Sequence, residues 1–370
     1  MPTSILLITG IFPPDSGGPS KFALEFGEWA SRKNLEVSIL TYSDNEDLAA
    51  NVHKVSVSRI LRSYKLPNRY SLMIRSIGRN QSTAISILAV GAFLETYIAS
   101  IIYRFTYTVK VPGDIVWERA RNNQVTELNI AEFQLEKLDL KYRIFRKLYS
   151  NSLKRARRVI VPSKGLYNLC LNWGVSEEKL ELIYNSVETV DSTNVPTDLY
   201  EYDLVTVCRL VTWKGVDELI EYTAARNFKL VVAGDGPDRE RLETLSRNLG
   251  AKVTFLGEIS NQLINQLFSK SRVFVLNSYY EGLPHALVEA RVAGMLTVGR
   301  EGTGSEEVIN DDLDGFLIRS DRPLDATLDL AIDAAGKPNV FAQRAKLDSL
   351  SRFNKEHNFH EILNTIQGNN

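Results

Sequence analysis

Short apolar runs alternate with helical stretches along almost the whole chain, and the alternation breaks once and restarts. A run without polar alternation suits a strand covered on both faces, and strands joined by crossover helices lie parallel in one sheet. In the first half the strands are Ile5–Thr9, Val37–Thr41, Val52–Val57, Ala84–Val90, Tyr107–Val111 and Val159–Pro162. Helices fit Ser20–Lys33, Gly91–Arg104 and a long basic stretch from Asn129 to Ala156. The polar segment Asn185–Pro196 has no periodicity and reads as a linker. The second half runs Leu204–Arg209, Lys229–Ala233, Lys252–Leu256, Val273–Leu276, Leu296–Val298 and Phe316–Ile318, with helices between. The class is therefore α/β, with two Rossmann-like doubly wound domains, a layout that 370 residues accommodate. Domains 1–188 and 189–350, followed by a helical tail 351–370, would face each other with their strand-end loops across a common cleft.

Charge narrows the partners. The formal net charge of -1 argues against a nucleic-acid binder. It hides an asymmetry: 25 Lys/Arg stand against 18 Asp/Glu up to Val190, and 19 against 27 beyond it. No acid lies between Asp47 and Glu95 or between Asp139 and Glu177. A basic first half suits an anionic membrane face, an anionic acceptor or phosphates, and equally a salt-bridged contact with the acidic half. Ala84–Tyr103 is apolar enough to suggest a membrane span, but Glu95 in its middle favours a strand, a Gly91 turn and a helix. The apolar start, Ser4–Gly10, lacks the basic flank of a signal peptide, and two cysteines make no disulfide framework. A cytoplasmic protein, at most touching the inner membrane face, is the expectation.

Three segments carry chemistry. The first, Ile11-Phe12-Pro13-Pro14-Asp15-Ser16-Gly17-Gly18-Pro19-Ser20, leaves a strand and opens a helix, whose free N–H groups suit a phosphate. The second, Arg209-Leu210-Val211-Thr212-Trp213-Lys214-Gly215, places two cations beside a helix start, as a diphosphate requires when no metal neutralises it. Either could instead be an ordinary turn or a pair of solvated cations. The third runs from Asn277 to Ala290 and holds Glu281 in a turn and Glu289 inside an apolar helix. Carboxylates accept hydrogen bonds from vicinal hydroxyls, so this pair suits a sugar and a ribose. No G-x-G-x-x-G follows the first strand, and neither a P-loop nor a G-x-S-x-G elbow is present, which removes dehydrogenase, P-loop and hydrolase readings. His357 and His360 form the one close histidine pair and read as surface residues, so no metal site is expected.

Together these segments resemble the retaining glycosyltransferase family 4, of GT-B fold. The Gly-Gly loop, the Arg-x-x-x-x-Lys-Gly segment and the E-x7-E motif fall in the family's order. Val231–Pro237, Phe255-Leu256-Gly257 and Gly302–Ile309 do so as well. The resemblance implies a nucleotide-diphospho-sugar donor as substrate, no cofactor, no metal, and retention at the anomeric carbon. It implies that Arg209 and Lys214 neutralise the diphosphate, and that Glu281 holds donor-sugar hydroxyls beside the backbone of Gly282 and Leu283. Glu289 would bind the ribose, Leu256 and Gly257 would meet the base, and Gly17 and Gly18 would close over the phosphates.

The family's first-domain His-Gly is absent. In its place stands Gly113-Asp114-Ile115-Val116-Trp117-Glu118, where Asp114 takes the histidine's role or merely caps the next helix. Lys164, at the following strand end, is a weaker site residue. The activity implied is sugar transfer to a hydroxyl of a glycan or lipid-linked acceptor in cell-surface polysaccharide synthesis. The alternatives are a silent nucleotide-sugar-binding subunit, or an epimerase or phosphorylase on the same architecture.

Overall fold

The computed structural model describes residues 4–15, 17–45, 51–52, 55–81, 86–123, 125–126, 128, 130–187, 200–335 and 340–368. It divides into two compact units, Met1–Ile183 with Glu356–Asn370, and Tyr184–Lys355. Most of the expected linker, and the junctions at 53–54 and 84–85 inside two expected strands, lie outside the described residues.

The first unit's sheet contains β1 (Ser4–Ile8), β2 (Glu36–Ser43), β3 (Asn51–Val52), β4 (Val55–Leu61), β5 (Ser86–Ala89), β6 (Thr108–Lys110), β7 (Arg158–Val161) and β8 (Leu180–Leu182). Its order is β3-β4-β2-β1-β5-β6-β7-β8, all parallel except β3 against β4. Its helices are α1 (Gly18–Arg32), α2 (Leu66–Asn80), α3 (Phe93–Ile102), α4 (Ile115–Asn122), α5 (Ile130–Leu135), α6 (Leu140–Arg155) and α7 (Lys164–Asn172). The second unit's sheet contains β9 (Tyr202–Val207), β10 (Lys229–Ala233), β11 (Lys252–Gly257), β12 (Ser271–Val275), β13 (Leu296–Arg300) and β14 (Phe316–Ile318), in the order β11-β10-β9-β12-β13-β14. With it go α8 (Val216–Arg226), α9 (Arg239–Leu249), α10 (Asn261–Ser269), α11 (His285–Val292), α12 (Leu324–Ala335) and α13 (Val340–Arg352).

The central strands are buried from end to end, as their unbroken apolar runs demand: Leu6, Leu7 and Ile8 in β1, and Leu230, Val231 and Val232 in β10. Both sheets are therefore doubly wound, and each has a strand pair at which the winding reverses: β1 with β5, and β9 with β12.

Two helical expectations change. The stretch Asn129–Ala156 is not one helix, because Asp139 takes an extended backbone (φ -55, ψ 153) and separates α5 from α6. The last helix, α14 (Lys355–Gln367), packs into the first unit's core. Phe359, Ile362 and Ile366 recur at helical spacing and bury against Phe26 and Trp29. Polar contacts fix it there: Trp29 donates to Glu356 (2.6 Å), and Arg157 donates to the terminal carbonyls of Thr365 (3.0 Å) and Ile366 (2.6 Å).

Lys110, closing β6, is 3 % exposed, with its ammonium 5.0 Å from the Phe22 ring centroid. Burial pulls its pKa down to about 7. In the unfolded chain it keeps its proton to about pH 10.4, so below about pH 7 folding buries a charge that water would otherwise solvate. Lys110→Met is expected to be more stable than the parent at about pH 6, with the advantage shrinking towards about pH 9. Denaturation midpoints across that range check this; a pH-independent difference would contradict it.

Candidate active site

The reversal in the second sheet brings two strand exits side by side, where ligands bind in doubly wound folds. The exit of β9 is Arg209–Gly215, and that of β12 is Leu276–Leu283. Their backbones are joined directly: Tyr279 N–H donates to the Trp213 carbonyl (2.8 Å), and the Asn277 side-chain amide donates to the Gly215 carbonyl (2.9 Å). Gly215 has φ +59, and a Cβ there would stand 2.5 Å from Asn277 Nδ2 and 2.7 Å from its carbonyl oxygen. Only glycine lets the exits approach this closely.

That approach brings two of the expected site residues together. Lys214 Nζ lies 2.5 Å from Glu281 Oε1, with the two side chains 15 % and 14 % exposed. A third loop holds the turn in place. Glu281 N–H donates to the Thr303 carbonyl (2.7 Å), while Thr303 and Gly304 N–H groups both donate to Glu306 Oε2 (3.2 and 3.0 Å). Gly304 has φ +99, and a Cβ there would sit 2.6 Å from the Glu281 carbonyl oxygen.

A polar network braces the same turn, and none of its members except Asn277 and Tyr279 lies in a motif. Arg300 donates to Asn277 Oδ1 (2.5 Å) and to Glu218 Oε2 (2.9 Å), and stacks over Tyr279, 4.3 Å from its ring centroid. Glu218 also accepts from the Tyr279 hydroxyl and from Asn277 Nδ2 (3.2 Å). One signal was open in the sequence: Arg300 closes an apolar strand, the position at which a doubly wound sheet presents its functional side chains.

The remaining residues scatter around this centre. Arg209 is exposed and makes no ion pair among the described residues. Leu256 is 40 % exposed, and Gly257, at φ +68, accepts from Gly234 N–H (2.8 Å), which fixes the β11 exit beside that of β10. Leu283 is buried and Gly282 half-buried. Glu289 is half-buried in α11, not enclosed as its apolar neighbours suggest, because Val288 and Ala290 take the inward positions. Cys208, at the end of β9, has its thiol pushed up to about 11 by burial, against the pull of Lys214, and is no nucleophile at neutral pH.

In the first unit, the loop after β1 is held by two arginines. Arg59 donates to the Pro13 carbonyl (3.1 Å), and Arg62 donates to the Gly10 carbonyl (3.1 Å) and pairs with Asp15 (2.5 Å) and Asp44 (2.8 Å). These two cations of the acid-free stretch thus serve the loop. Gly17 has φ +143 and precedes α1, whereas a Cβ on Gly18 would meet nothing within 4 Å. Asp114 is 1 % exposed, and Oδ1 accepts from Val116 and Trp117 N–H (2.9 and 3.1 Å) while Oδ2 accepts from Gln134 (2.8 Å). Asp114 thus caps α4, the second of the two roles its sequence position allowed. Lys164, in the first turn of α7, is exposed.

Comparison with known proteins now identifies the architecture. The family model "Glycosyltransferase Family 4" matches residues 16–191, and "Glycosyl transferases group 1" matches residues 191–348. The chain belongs to glycosyltransferase family 4. Among solved structures, Anabaena HepE in complex with UDP and glucose superposes with a TM-score of 0.76 at 19 % identity, covering 99 % of this chain and 100 % of that one. The lipopolysaccharide outer core galactosyltransferase WaaB superposes with a TM-score of 0.71 at 16 % identity, each chain fully covered. The fold of this family 4 chain is thus GT-B, with two Rossmann-like units. Among curated proteins it is 38 % identical over 96 residues to a Campylobacter jejuni α-1,4-N-acetyl-D-galactosaminyltransferase named for a GalNAc-GalNAc-diNAcBac-PP-undecaprenol substrate, a match covering 26 % of each chain. It is 30 % identical over 165 residues to the Escherichia coli lipopolysaccharide 1,6-galactosyltransferase, covering 42 % of this chain and 46 % of that one. Each match spans less than half of the relative's own length.

Proposed function

We propose that this chain is a retaining, metal-independent glycosyltransferase that uses a nucleotide-diphospho-sugar and a glycan or lipid-linked acceptor in cell-surface polysaccharide synthesis. The observation that carries the reading is the Lys214–Glu281 pair, a cation and a carboxylate from two strand exits meeting at the winding reversal of the second sheet. Arg209 and Lys214 neutralise the diphosphate, a task that otherwise falls to a metal ion. Glu281 accepts hydrogen bonds from donor-sugar hydroxyls near the Gly282 and Leu283 backbone, Glu289 from the ribose, and Leu256–Gly257 flank the base. Gly17 and Gly18 leave room for the phosphates. The acceptor oxygen bonds to the anomeric carbon on the face from which the diphosphate departs, the old carbon–oxygen bond breaks, and the hydroxyl proton passes to the leaving phosphate oxygen.

Names of relatives support the reading: one is named for an undecaprenol-diphosphate-linked glycan, and a structural neighbour was solved with UDP and glucose. No helix among the described residues is long and apolar enough to cross a membrane, so a lipid-linked acceptor would be met by a peripheral contact with an anionic, inner membrane face.

A thermal-shift screen of nucleotide-sugars tests the donor. A ligand at about 100 times its dissociation constant adds about 2.7 kcal/mol, which moves a melting curve by several degrees. We expect stabilisation by one class of nucleotide-sugar, its loss in Lys214→Ala, and transfer unaffected by EDTA. Stabilisation that survives in Lys214→Ala would remove the diphosphate from this site, and a strict metal requirement would refute the metal-free scheme.

A further inference from the structure

The second acid-free stretch does not present all its cations to solvent. Arg155 donates to Ser100 Oγ (2.7 Å), Arg157 caps α14, and Arg158 pairs with Glu181 (3.4 Å). Three others, with Lys137 just before the stretch, line a cavity of about 640 Å3 in the first unit, between α5, the turn after it, α6 and the end of α7. Lys137, Arg143, Arg146 and Lys147 line it, against the single acid Glu136. None of these four cations takes part in an ion pair among the described residues.

Two features go beyond a solvated basic face. Arg146 is half-buried over the Phe133 ring (5.3 Å to its centroid), donates once to the Phe133 carbonyl (3.2 Å), and keeps a buried Nε with no hydrogen-bond partner. The Asp114 carboxylate attracts this half-buried guanidinium without a hydrogen bond to it, its own acceptors being taken by Val116, Trp117 and Gln134; the spare donors of the planar fork suit phosphoryl oxygens. Beside the cavity, Leu135, Leu140 and Ile144 are 90 %, 69 % and 52 % exposed. Leu140, Ile144 and Lys147 recur at helical spacing, so this apolar strip and the cations share a side of α6.

We propose that this cavity is a phosphoryl-binding site, which takes the phosphate or diphosphate head of a molecule whose apolar chain lies along Leu135, Leu140 and Ile144. The inference rests on the reading of a lipid-linked acceptor for the identity of its occupant, and names the part of that acceptor the first unit recognises. The same chemistry is offered by the diphosphate of a lipid-linked acceptor and by a phospholipid head group, and the experiment separates them.

Inorganic pyrophosphate is titrated calorimetrically into Lys214→Ala, made together with Arg209→Ala so that both cations of the other candidate anion site are gone, and then into the same background carrying Arg143→Gln and Lys147→Gln. Both added changes are at exposed positions, and unchanged melting temperatures confirm folding. The expected result is measurable binding in the Arg209→Ala, Lys214→Ala background that weakens about tenfold or more when the two cavity charges go. No binding in that background, or binding indifferent to the added changes, overturns the proposal. In a second arm, farnesyl diphosphate binding more tightly than pyrophosphate identifies a lipid-linked diphosphate. Equal affinities, together with charge-dependent co-sedimentation on phosphatidylglycerol vesicles, identify a head group. Neither arm measures transfer, so a failed nucleotide-sugar screen leaves this result standing, and a failed titration leaves the donor reading intact.

Discussion

Glu281→Ala is expected to lower turnover about a hundredfold or more while leaving the fold intact. The carboxylate contacts Lys214 and stands where the donor sugar is proposed to lie, so its removal deletes hydrogen bonds that tighten as charge builds on the anomeric carbon. Losing one preorganised group of this kind costs about 3 kcal/mol at the transition state. The main-chain position should survive, because the Glu281 backbone N–H is held by the Thr303 carbonyl independently of the side-chain contact with Lys214. A drop in turnover with little change in donor affinity would mark a contact formed mainly in the transition state. Loss of affinity alone would reassign Glu281 to ground-state binding, and unchanged transfer would remove it from the site. Lys214→Ala is the informative companion. It frees the carboxylate without deleting it, so equal effects of the two variants would mean the pair acts as a unit.

What the sequence exposes and what it hides divide along a physical line. β1, β10 and β12 are legible because a strand covered on both faces must be apolar throughout, and that property is local. Lys214 and Glu281 are legible because a strand end followed by glycine and a charge is local too. The break at Asp139 is less visible, since Lys137-Leu138-Asp139 contains neither Gly nor Pro and a backbone turn there depends on how α5 and α6 pack. The partnership of Glu218, Asn277 and Arg300 joins three distant segments, and no spacing rule announces it. Likewise, the helical recurrence of Phe359, Ile362 and Ile366 shows that α14 buries a face, but not which core receives it. Asp114 illustrates the opposite difficulty. An aspartate after a strand and before a helix has the same local pattern whether it caps or catalyses, and the cap shows only in its hydrogen-bond donors.

Arg291→Ala is expected to destabilise the second unit by about 3–5 kcal/mol, the largest stability effect anticipated in this chain. Arg291 lies on α11, the helix that leaves the Glu281 turn, and its side chain is fully buried. Nη1 lies 2.9 Å from Asp314 Oδ1 and 3.1 Å from the Asp314 carbonyl, Nε donates to Ser349 Oγ (3.1 Å), and Nη2 approaches Asp348 at 3.6 Å. Asp314 in turn accepts from the backbone and side-chain nitrogens of Asn310 (2.9 and 2.7 Å), so one guanidinium ties α11, α13 and the loop before β14 together. Truncation leaves the 4 % exposed Asp314 carboxylate without its counter-charge, which is costlier than the pair itself is favourable. The double variant Arg291→Met with Asp314→Asn separates these contributions. Removing both charges while keeping volume should recover much of the loss, since the penalty belongs to the stranded anion. Urea denaturation of the single and double variants gives the comparison. If the double variant is as unstable as Arg291→Ala, packing and the carbonyl contacts of the guanidinium dominate over charge.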